Sequence, residues 1–181
     1  AQALEASPVP IKIQLGANLT EGLGAGSNPE IGKKAAEESE DKITELLDAN
    51  TKMLFLTAGM GGGTGTGAAP VIAEIAREKG ILTVGVVTNP FSTEGGFRKQ
   101  YAEEGVAELK KYVDTLLIIN NDKLIEVYGD LTFTQAFGKA NEVLNTATKG
   151  IAEVISQHLL VNIDLNDARK VLENSGTAVM G

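Results

Sequence analysis

One segment constrains this chain more than any other: residues 59–67 read Gly-Met-Gly-Gly-Gly-Thr-Gly-Thr-Gly, with six glycines in nine positions. An apolar run at 53–56 precedes the segment, and an alanine-rich run typical of a helix follows it at 68–76. A buried strand that passes into a helix through glycines lets backbone N–H groups approach an anion, because no Cβ atoms stand in the way. The segment therefore predicts a phosphate-binding loop. A flexible linker would rarely be apolar on both flanks.

Composition and charge argue against several functions. The chain has 181 residues, 43% of them hydrophobic, and a net charge of -8. The acidic balance argues against nucleic acid as a partner, because a phosphate backbone requires a basic face. Zero cysteines exclude disulfides and thiolate metal sites, and a single histidine, His158, disfavours histidine chemistry. No apolar stretch could span a bilayer and no signal peptide is recognisable, so we expect a cytosolic protein without direct membrane insertion.

The pattern of apolar residues alternates between strands and helices. It predicts strands at 11–15, 53–56, 81–87 and 115–119, and helices at 29–47, 68–79, 92–111, 122–128, 134–158 and 165–174. A connector at 159–164 and the first half of a further strand at 175–181 complete the pattern. Such alternation is typical of an α/β fold with a Rossmann-like, doubly wound, mainly parallel sheet. The loops at 59–67, 88–91 and 120–122 would then share the edge where such sheets bind ligands.

A second glycine-rich loop, at 16–30, ends in a clear helix start. Asn28 is a good N-cap residue, and Pro29 suits the first helical position. The free N–H groups of that helix could bind a second part of the same anion. Taken alone, the loop could equally be a hinge without a ligand.

The known phosphate-binding motifs fit the first glycine segment poorly. No lysine follows either glycine loop in the register of a Walker motif. The dinucleotide fingerprint is met only loosely, by Gly63, Gly65 and Ala68, and the next strand lacks the acidic residue that would hold a ribose. An oxidoreductase that binds NAD through this loop therefore stays open as an alternative.

The full heptapeptide 61–67, Gly-Gly-Gly-Thr-Gly-Thr-Gly, resembles the signature of the tubulin/FtsZ superfamily of GTPases. The resemblance continues through further segments in the same order: 22–30, 86–91, 94–98, 121–124, Phe137 with Asn141, and 162–167. It favours the bacterial cell-division branch over eukaryotic tubulin, and it implies that branch's nucleotide-binding domain with a long central helix. It also implies a chain truncated at both ends, which lacks the first strand, glycine-rich loop and helix, and most of a second domain.

The resemblance implies a set of nucleotide-binding residues. Contacts to the phosphates are implied for Gly61, Gly62, Gly63, Thr64, Gly65 and Thr66, and the γ-phosphate would be sensed by Ala25, Gly26, Ser27 and Asn28. Glu94 and Arg98 would contact the ribose and phosphates, although a surface ion pair is the plainer interpretation of their i,i+4 spacing. Asn121, Phe137 and Asn141 would form the guanine pocket. Core packing is the alternative role for Phe137, and Asn141 stands where relatives often have aspartate.

Catalysis would fall to Asn162, Asp164 and Asp167 by the same resemblance. Two aspartates at i,i+3 can face one side and polarise a water, although that spacing is also ordinary at a helix start. The family inserts this loop into the nucleotide site of the next subunit, which implies head-to-tail filaments. The implied cofactors are GTP or GDP with Mg²⁺ bridging the phosphates, and no protein ligand to a metal is assigned.

The resemblance further implies a GTPase that forms the division ring at the bacterial mid-cell, in the cytoplasm. Accessory and membrane-tethering partners would bind through other regions. The predicted domain limits are 1–133 for nucleotide binding, 134–158 for the central helix and 159–181 for the catalytic loop and the start of the second domain. A structural polymer that binds nucleotide without hydrolysis is a third hypothesis.

Overall fold

The computed structural model describes residues 2–160 and 176–180. The helices are α1 (Gln2–Ala6), α2 (Ala17–Thr20), α3 (Pro29–Glu38), α4 (Glu40–Leu46), α5 (Thr64–Glu78), α6 (Gly96–Leu109), α7 (Asn121–Tyr128) and α8 (Phe133–Leu160), with a 3₁₀ turn at Ser92–Glu94. The strands are β1 (Met53–Gly59), β2 (Leu82–Asn89), β3 (Thr115–Asn120) and β4 (Gly176–Met180).

The described strands form one parallel sheet in the order β1-β2-β3-β4. Gly59 pairs with Thr88, and Asn89 pairs with Asn120, so β1, β2 and β3 end at the same edge of the sheet. This confirms the predicted parallel α/β fold and brings the three predicted loops to one edge. The strand predicted at 175–181 is also confirmed, as β4.

Helices cover both faces of the sheet, as a doubly wound fold requires. On one face, α5 and α6 pack Ala73 and Leu109 against Val87 and Leu116. On the other face, α8 packs Val143, Leu144, Ala147 and Ile151 against Val84, Val86, Leu117 and Ile119. Leu82, Val84, Val86 and Leu116 are at most 1% exposed. Each such buried side chain contributes roughly 1.5–3 kcal/mol, which makes the central strands the rigid support of the loops.

The prediction of a strand at 11–15 is wrong. This segment pairs with none of the described strands, and the Ile11 side chain is 60% exposed. Pro8 and Pro10 flank its start and cannot donate backbone hydrogen bonds, which disfavours a ladder there. Instead, the segment runs along the outside of the hydrophobic core. Its Leu15 side chain packs against the buried cluster that contains Ala36 and Ile43.

The helix predicted at 29–47 is in fact two helices that meet at Ser39. Ser39 is buried, and its Oγ accepts a hydrogen bond from the Gly16 N–H at 3.0 Å. Its backbone leaves the helical region (φ -100°, ψ 13°), so α3 ends and α4 begins there. A long-range partner for one hydroxyl therefore overrides the local helical pattern.

The helix predicted at 92–111 starts later than expected. The 3₁₀ turn comes first, and Gly95 then adopts φ 102° before α6 begins at Gly96. The predicted long helix at 134–158 is confirmed by α8, which extends it at both ends. Leu159 and Leu160 belong to α8 rather than to the predicted connector. The rest of that connector and the helix predicted at 165–174 lie outside the described residues.

Within the described part of the chain, no helix is both long enough and apolar enough to cross a membrane.

Candidate functional site

Only the first part of the glycine segment is a loop. Helix α5 begins at Thr64, earlier than the predicted Ala68, with Gly63 as its N-cap. Its first internal hydrogen bond runs from the Gly67 N–H to the Gly63 carbonyl at 3.0 Å, and no side chain caps the preceding N–H groups. A helix end with free N–H groups and a positive dipole attracts an anion, so this helix start has the character that a phosphate-binding position requires.

Most glycines of the segment are required by the protein itself rather than by a ligand. A Cβ atom at Gly65 would lie 2.3 Å from the Gly59 carbonyl oxygen, and one at Gly67 would lie 2.0 Å from the Pro29 carbonyl oxygen. Such distances are far below van der Waals contact, so these glycines permit backbone to pack on backbone. By contrast, nothing lies within 4 Å of a Cβ at Gly62. The need for glycine therefore has a packing explanation at Gly65 and Gly67, whereas the open space at Gly62 leaves room for a ligand.

The two glycine loops meet at the N-caps of their helices. A Cβ at Gly63 would lie 2.7 Å from the Ala25 Cβ and 2.8 Å from the Asn28 backbone nitrogen. Asn28 is the N-cap of α3, as predicted, and its side chain accepts a hydrogen bond from the Glu30 N–H at 3.0 Å. The starts of α3 and α5 therefore lie side by side. Two helix dipoles point their positive ends at one place, which strengthens the attraction for an anion.

Gly26 and Ser27 sit in this contact region with left-handed backbones, at φ 57° and 60°. Ser27 is exposed, and a left-handed backbone at a residue other than glycine costs roughly 1–2 kcal/mol. Strain of this kind concentrates where backbone groups serve a ligand. The predicted Ala25, Gly26, Ser27 and Asn28 are thus brought together with the α5 start.

Two cavities of ≈ 290 Å³ differ in their relation to these loops. One is lined by Thr64, Ala25 and Gly24 together with the segment before the second glycine loop. The other lies between α3, α5 and α6, and its walls include Glu30, Glu74, Glu104 and Glu108 against the single Lys33. Burial and the carboxylates of Glu74 and Glu108 raise the pKa of Tyr112 in that second cavity. A negative wall repels phosphate, so the first cavity is the one that suits an anion.

The side chain of Thr66 is buried in the protein interior. Thr66 is 4% exposed, and its Oγ1 accepts a hydrogen bond from the Gly61 N–H at 2.8 Å. Gly61 in turn has φ 100°, a conformation that strains any side chain. The Thr66 hydroxyl therefore closes the glycine loop and holds the backbone around Gly62 in shape.

The Thr66→Val variant is expected to lose about 1–3 kcal/mol of unfolding free energy, because the Gly61 N–H is then left buried without an acceptor. Urea unfolding measures this loss. Thr66→Ser retains the acceptor and loses only the methyl group near Gly105, so it should be the milder change. A valine variant as stable as the serine variant would contradict the role assigned to the hydroxyl.

Glu94 and Arg98 form the ion pair that their spacing favours, with Nη1 to Oε1 at 3.4 Å. They do not share one helix, because Gly95 separates the 3₁₀ turn from α6. The Glu94 side chain is only 10% exposed, whereas that of Arg98 is 43% exposed. Arg98 can therefore reach a ligand in solvent more easily than Glu94 can.

The predicted guanine-pocket residues lie around the start of α7 and the first turns of α8. Asn121 is 4% exposed, and its Oδ1 is a buried acceptor without a hydrogen-bond partner among the described residues. Phe137 is half-buried and packs edge-to-face on Phe91 (ring centroids 5.3 Å apart) and on Phe133 (4.7 Å). Asn141 is exposed on the next turn of α8. Phe137 therefore has the packing role that was the alternative to nucleotide contact.

Sequence reasoning assigned no role to Phe91 or Asp122, which both stabilise this corner. Phe91 is 2% exposed beneath Phe137, and the Asp122 Oδ1 accepts a hydrogen bond from the Ser92 N–H at 2.9 Å. A bulky apolar residue in the loop that follows a strand was the available signal for Phe91. The predicted Asn162, Asp164 and Asp167 lie outside the described residues.

Comparison with known proteins gives relatives along the whole chain. The chain is 52% identical to the cell division protein FtsZ of Wigglesworthia glossinidia brevipalpis and 54% identical to that of Buchnera aphidicola. Each alignment covers 100% of this chain and 47% of the relative. A solved FtsZ dimer from M. jannaschii matches with TM-score 0.92 and 46% identity over 98% of this chain and 51% of that one. CetZ2 from Haloferax volcanii shares the fold, with TM-score 0.79 at 21% identity.

The chain thus spans about half the length of these relatives. A family model described as the Tubulin/FtsZ family, GTPase domain, matches residues 1–129, which include both glycine loops and the strands β1, β2 and β3. The chain therefore belongs to the Tubulin/FtsZ family.

Proposed function

We propose that this chain binds the phosphates of a guanine nucleotide where the N-caps of α3 and α5 meet. The observation that carries the proposal is the contact of Gly63 with Asn28 and Ala25, which brings two helix starts to one place. The open space at Gly62 gives a phosphate access to the backbone there. Thr64 and Ser27 are exposed beside it, so their hydroxyl groups can add donors.

The other predicted residues fit parts of the same nucleotide. Arg98 supplies a half-exposed guanidinium, which suits phosphate or ribose oxygens. The unpaired Oδ1 of Asn121 is an acceptor for a base N–H, and the half-buried ring of Phe137 offers an aromatic face for stacking. Asn141 lies one turn from Phe137 and can contact the base edge through its amide.

Mg²⁺ bound with the nucleotide would neutralise charge on the phosphates. The residues that the structure describes assemble no group of three carboxylate, imidazole or thiolate side chains fit to hold a metal. The proposed Mg²⁺ would take phosphate oxygens and water among its ligands, because Mg²⁺ usually keeps several waters when it is bound with a nucleotide.

We further propose that hydrolysis is completed by a second copy of the chain. Asn162, Asp164 and Asp167 would enter the nucleotide site of the next molecule, where a carboxylate can polarise the attacking water. Such a head-to-tail contact generates filaments, and the two named relatives are cell division proteins. The domain limits 1–133, 134–158 and 159–181, and a place in the division ring with accessory and membrane-tethering partners, belong to the same proposal.

Equilibrium binding of GTP and of NAD tests the proposed ligand. GTP should bind and NAD should not. Gly62→Asp should weaken GTP binding roughly 100-fold or more, because the new carboxylate would repel the negatively charged phosphates. The magnitude assumes the effective dielectric constant that is typical of charge pairs near a protein surface. The fold should survive, since a Cβ at Gly62 meets nothing within 4 Å.

Gly150→Asp is the matched control for this substitution. Gly150 lies in α8, where a Cβ likewise meets nothing within 4 Å, and the change alters the net charge by the same amount. It should leave GTP affinity unchanged. Binding of NAD without GTP, or equal GTP affinity in Gly62→Asp and Gly150→Asp, would refute the proposed site.

A further inference from the structure

We propose that Glu38 is a positioning residue, which holds the second glycine loop in place by capping α2 from the far end of α3. The inference rests on the proposed function for its effect on a ligand, because Ser27 and the N-cap of α3 belong to the proposed phosphate site. Its geometry is independent of any ligand. Sequence reasoning assigned Glu38 no role, since the residue stands in a polar run at 37–41.

Helix α2 lacks a local cap. Its N-cap residue is Gly16, which has no side chain and therefore makes no side-chain cap hydrogen bond. A Cβ at Gly16 would lie 2.5 Å from the Ala35 Cβ, so the close packing of this turn on α3 excludes the usual capping residues serine, aspartate and asparagine. The first N–H groups of a helix have no acceptor within the helix. A protein acceptor for those of α2 must therefore come from elsewhere in the chain.

Glu38, the last residue of α3, supplies the missing acceptors. Its Oε1 accepts a hydrogen bond from the Asn18 N–H at 3.0 Å, and its Oε2 accepts one from the Leu19 N–H at 3.0 Å. These are the second and third N–H groups of α2, which a local capping side chain would otherwise satisfy. The neighbouring Ser39 Oγ accepts from the Gly16 N–H. Hydrogen bonds to an ionised acceptor are among the stronger ones, so the carboxylate ties α2 to the end of α3.

The part of the loop that follows α2 depends on such ties. Five of the seven residues at 21–27 have positive φ, namely Glu21, Gly22, Gly24, Gly26 and Ser27. Its far end is fixed by Asn28, which caps α3 and whose N–H donates to the Ala25 carbonyl at 2.9 Å. Helix α3 therefore holds both ends of the loop. A left-handed backbone is unfavourable at residues other than glycine, so the conformation of Glu21 and Ser27 persists only while the surroundings impose it.

Glu38 is too far from the proposed phosphate site to act on it directly. The ten residues of α3 span about 15 Å, so Glu38 lies one helix length from the N-cap where the anion would bind. Glu38 can therefore influence binding only through the loop. Without its carboxylate, the first tie of the loop loosens, and Gly26 and Ser27 are held less firmly in the conformation that leaves their backbone accessible.

The first arm of the test needs no nucleotide and measures amide hydrogen exchange by mass spectrometry. In Glu38→Ala, peptides that cover 16–27 should exchange about tenfold faster, whereas peptides from β2 should exchange as slowly as in the unchanged chain, because the core is not touched. Glu38→Gln keeps one acceptor oxygen and should give an intermediate rate. Glu37→Ala removes an exposed carboxylate from the same helix, so it is the matched control and should change nothing.

The second arm measures the affinity of the same variants for GTP by equilibrium titration. Glu38→Ala should weaken binding about fivefold, because the binding conformation of the loop is then populated for a smaller fraction of the time. Glu38→Gln should weaken it less, and Glu37→Ala should leave it unchanged, so that the loss of affinity follows the rise in exchange.

Three results would overturn the positioning role. The first is unchanged exchange at 16–27 in Glu38→Ala, and the second is faster exchange there with unchanged GTP affinity. The third is faster exchange in β2 as well, because Glu38 would then stabilise the whole fold rather than the loop. If the unchanged chain binds no GTP, the proposed function fails, while the first arm still decides whether Glu38 holds the loop.

Discussion

Replacing Gly67 by alanine is expected to lower the free energy of unfolding by about 3 kcal/mol or more. The new Cβ would lie 2.0 Å from the Pro29 carbonyl oxygen and 2.6 Å from the Lys33 nitrogen, which are both backbone atoms of α3. Alanine gains roughly 1 kcal/mol over glycine in a helix, but overpacking a rigid contact costs 1–3 kcal/mol and occasionally more. Backbone atoms cannot rotate aside, so we expect the upper end. Urea unfolding of the Gly67→Ala protein measures the loss.

Gly138→Ala is the control for this prediction. Gly138 also lies in a helix, α8, but a Cβ there meets nothing within 4 Å. With no clash to offset the gain in helix propensity, this variant should be more stable by roughly 0.5–1 kcal/mol. A Gly67→Ala protein as stable as Gly138→Ala would contradict the close backbone contact between α3 and α5. Gly67→Ala should also disturb the proposed phosphate site, because that site would lie between the starts of the same two helices.

Asp164→Ala is expected to reduce GTP turnover roughly 100- to 10,000-fold, the range that a general acid or base contributes. GTP affinity should stay within about twofold of the unchanged chain, because the substitution leaves the α3 and α5 helix starts untouched. Asp167→Ala should behave in the same way if both aspartates act on one water. Phosphate release at saturating GTP, with a parallel binding isotherm, measures the two quantities.

Asp130→Ala supplies the comparison, since Asp130 is an exposed aspartate in the turn after α7. It should leave both turnover and affinity unchanged. Turnover that survives in Asp164→Ala and Asp167→Ala would remove these residues from the chemistry. A fall in affinity as large as the fall in turnover would instead place them among the groups that bind GTP.

The sequence predicted the elements whose pattern is local and strong. Continuous apolar runs at 81–87 and 115–119 became the buried strands β2 and β3, and the long stripe from Ala136 to Ile155 became α8. The N-cap at Asn28 was also predictable, because one side chain and one following proline suffice to define it. Parallel pairing followed from the alternation of these elements.

The features that the sequence did not reveal depend on partners far along the chain. Ser39 looks like an ordinary helical residue until Gly16 approaches its hydroxyl. The glycines at 65 and 67 look like ligand-binding positions, yet their neighbours are Gly59 and Pro29. Glu94 has the spacing of a surface ion pair with Arg98, and only the fold shows that it also accepts the Phe91 N–H. Local patterns do not contain these contacts, because each requires two elements to be placed in space.

The residues of the two glycine loops therefore have two different roles. Gly63, Gly65 and Gly67 allow α3, α5 and β1 to approach each other, while Gly62 and the left-handed Gly26 and Ser27 keep backbone accessible at the helix starts. An NAD-binding role is disfavoured by the family match and by the end of β2, where Asn89 stands in place of an acidic residue that would hold a ribose.

The most direct test of the shared active site is the GTP turnover of an equimolar mixture of Gly62→Asp and Asp164→Ala chains. The first chain has a damaged phosphate site and intact aspartates, and the second has the reverse. If the catalytic aspartates act on the neighbouring molecule, the mixture should hydrolyse GTP although neither variant does so alone, because some contacts join an intact phosphate site to an intact Asp164. Turnover in the mixture no greater than the sum of the two separate variants would contradict a site built from two molecules.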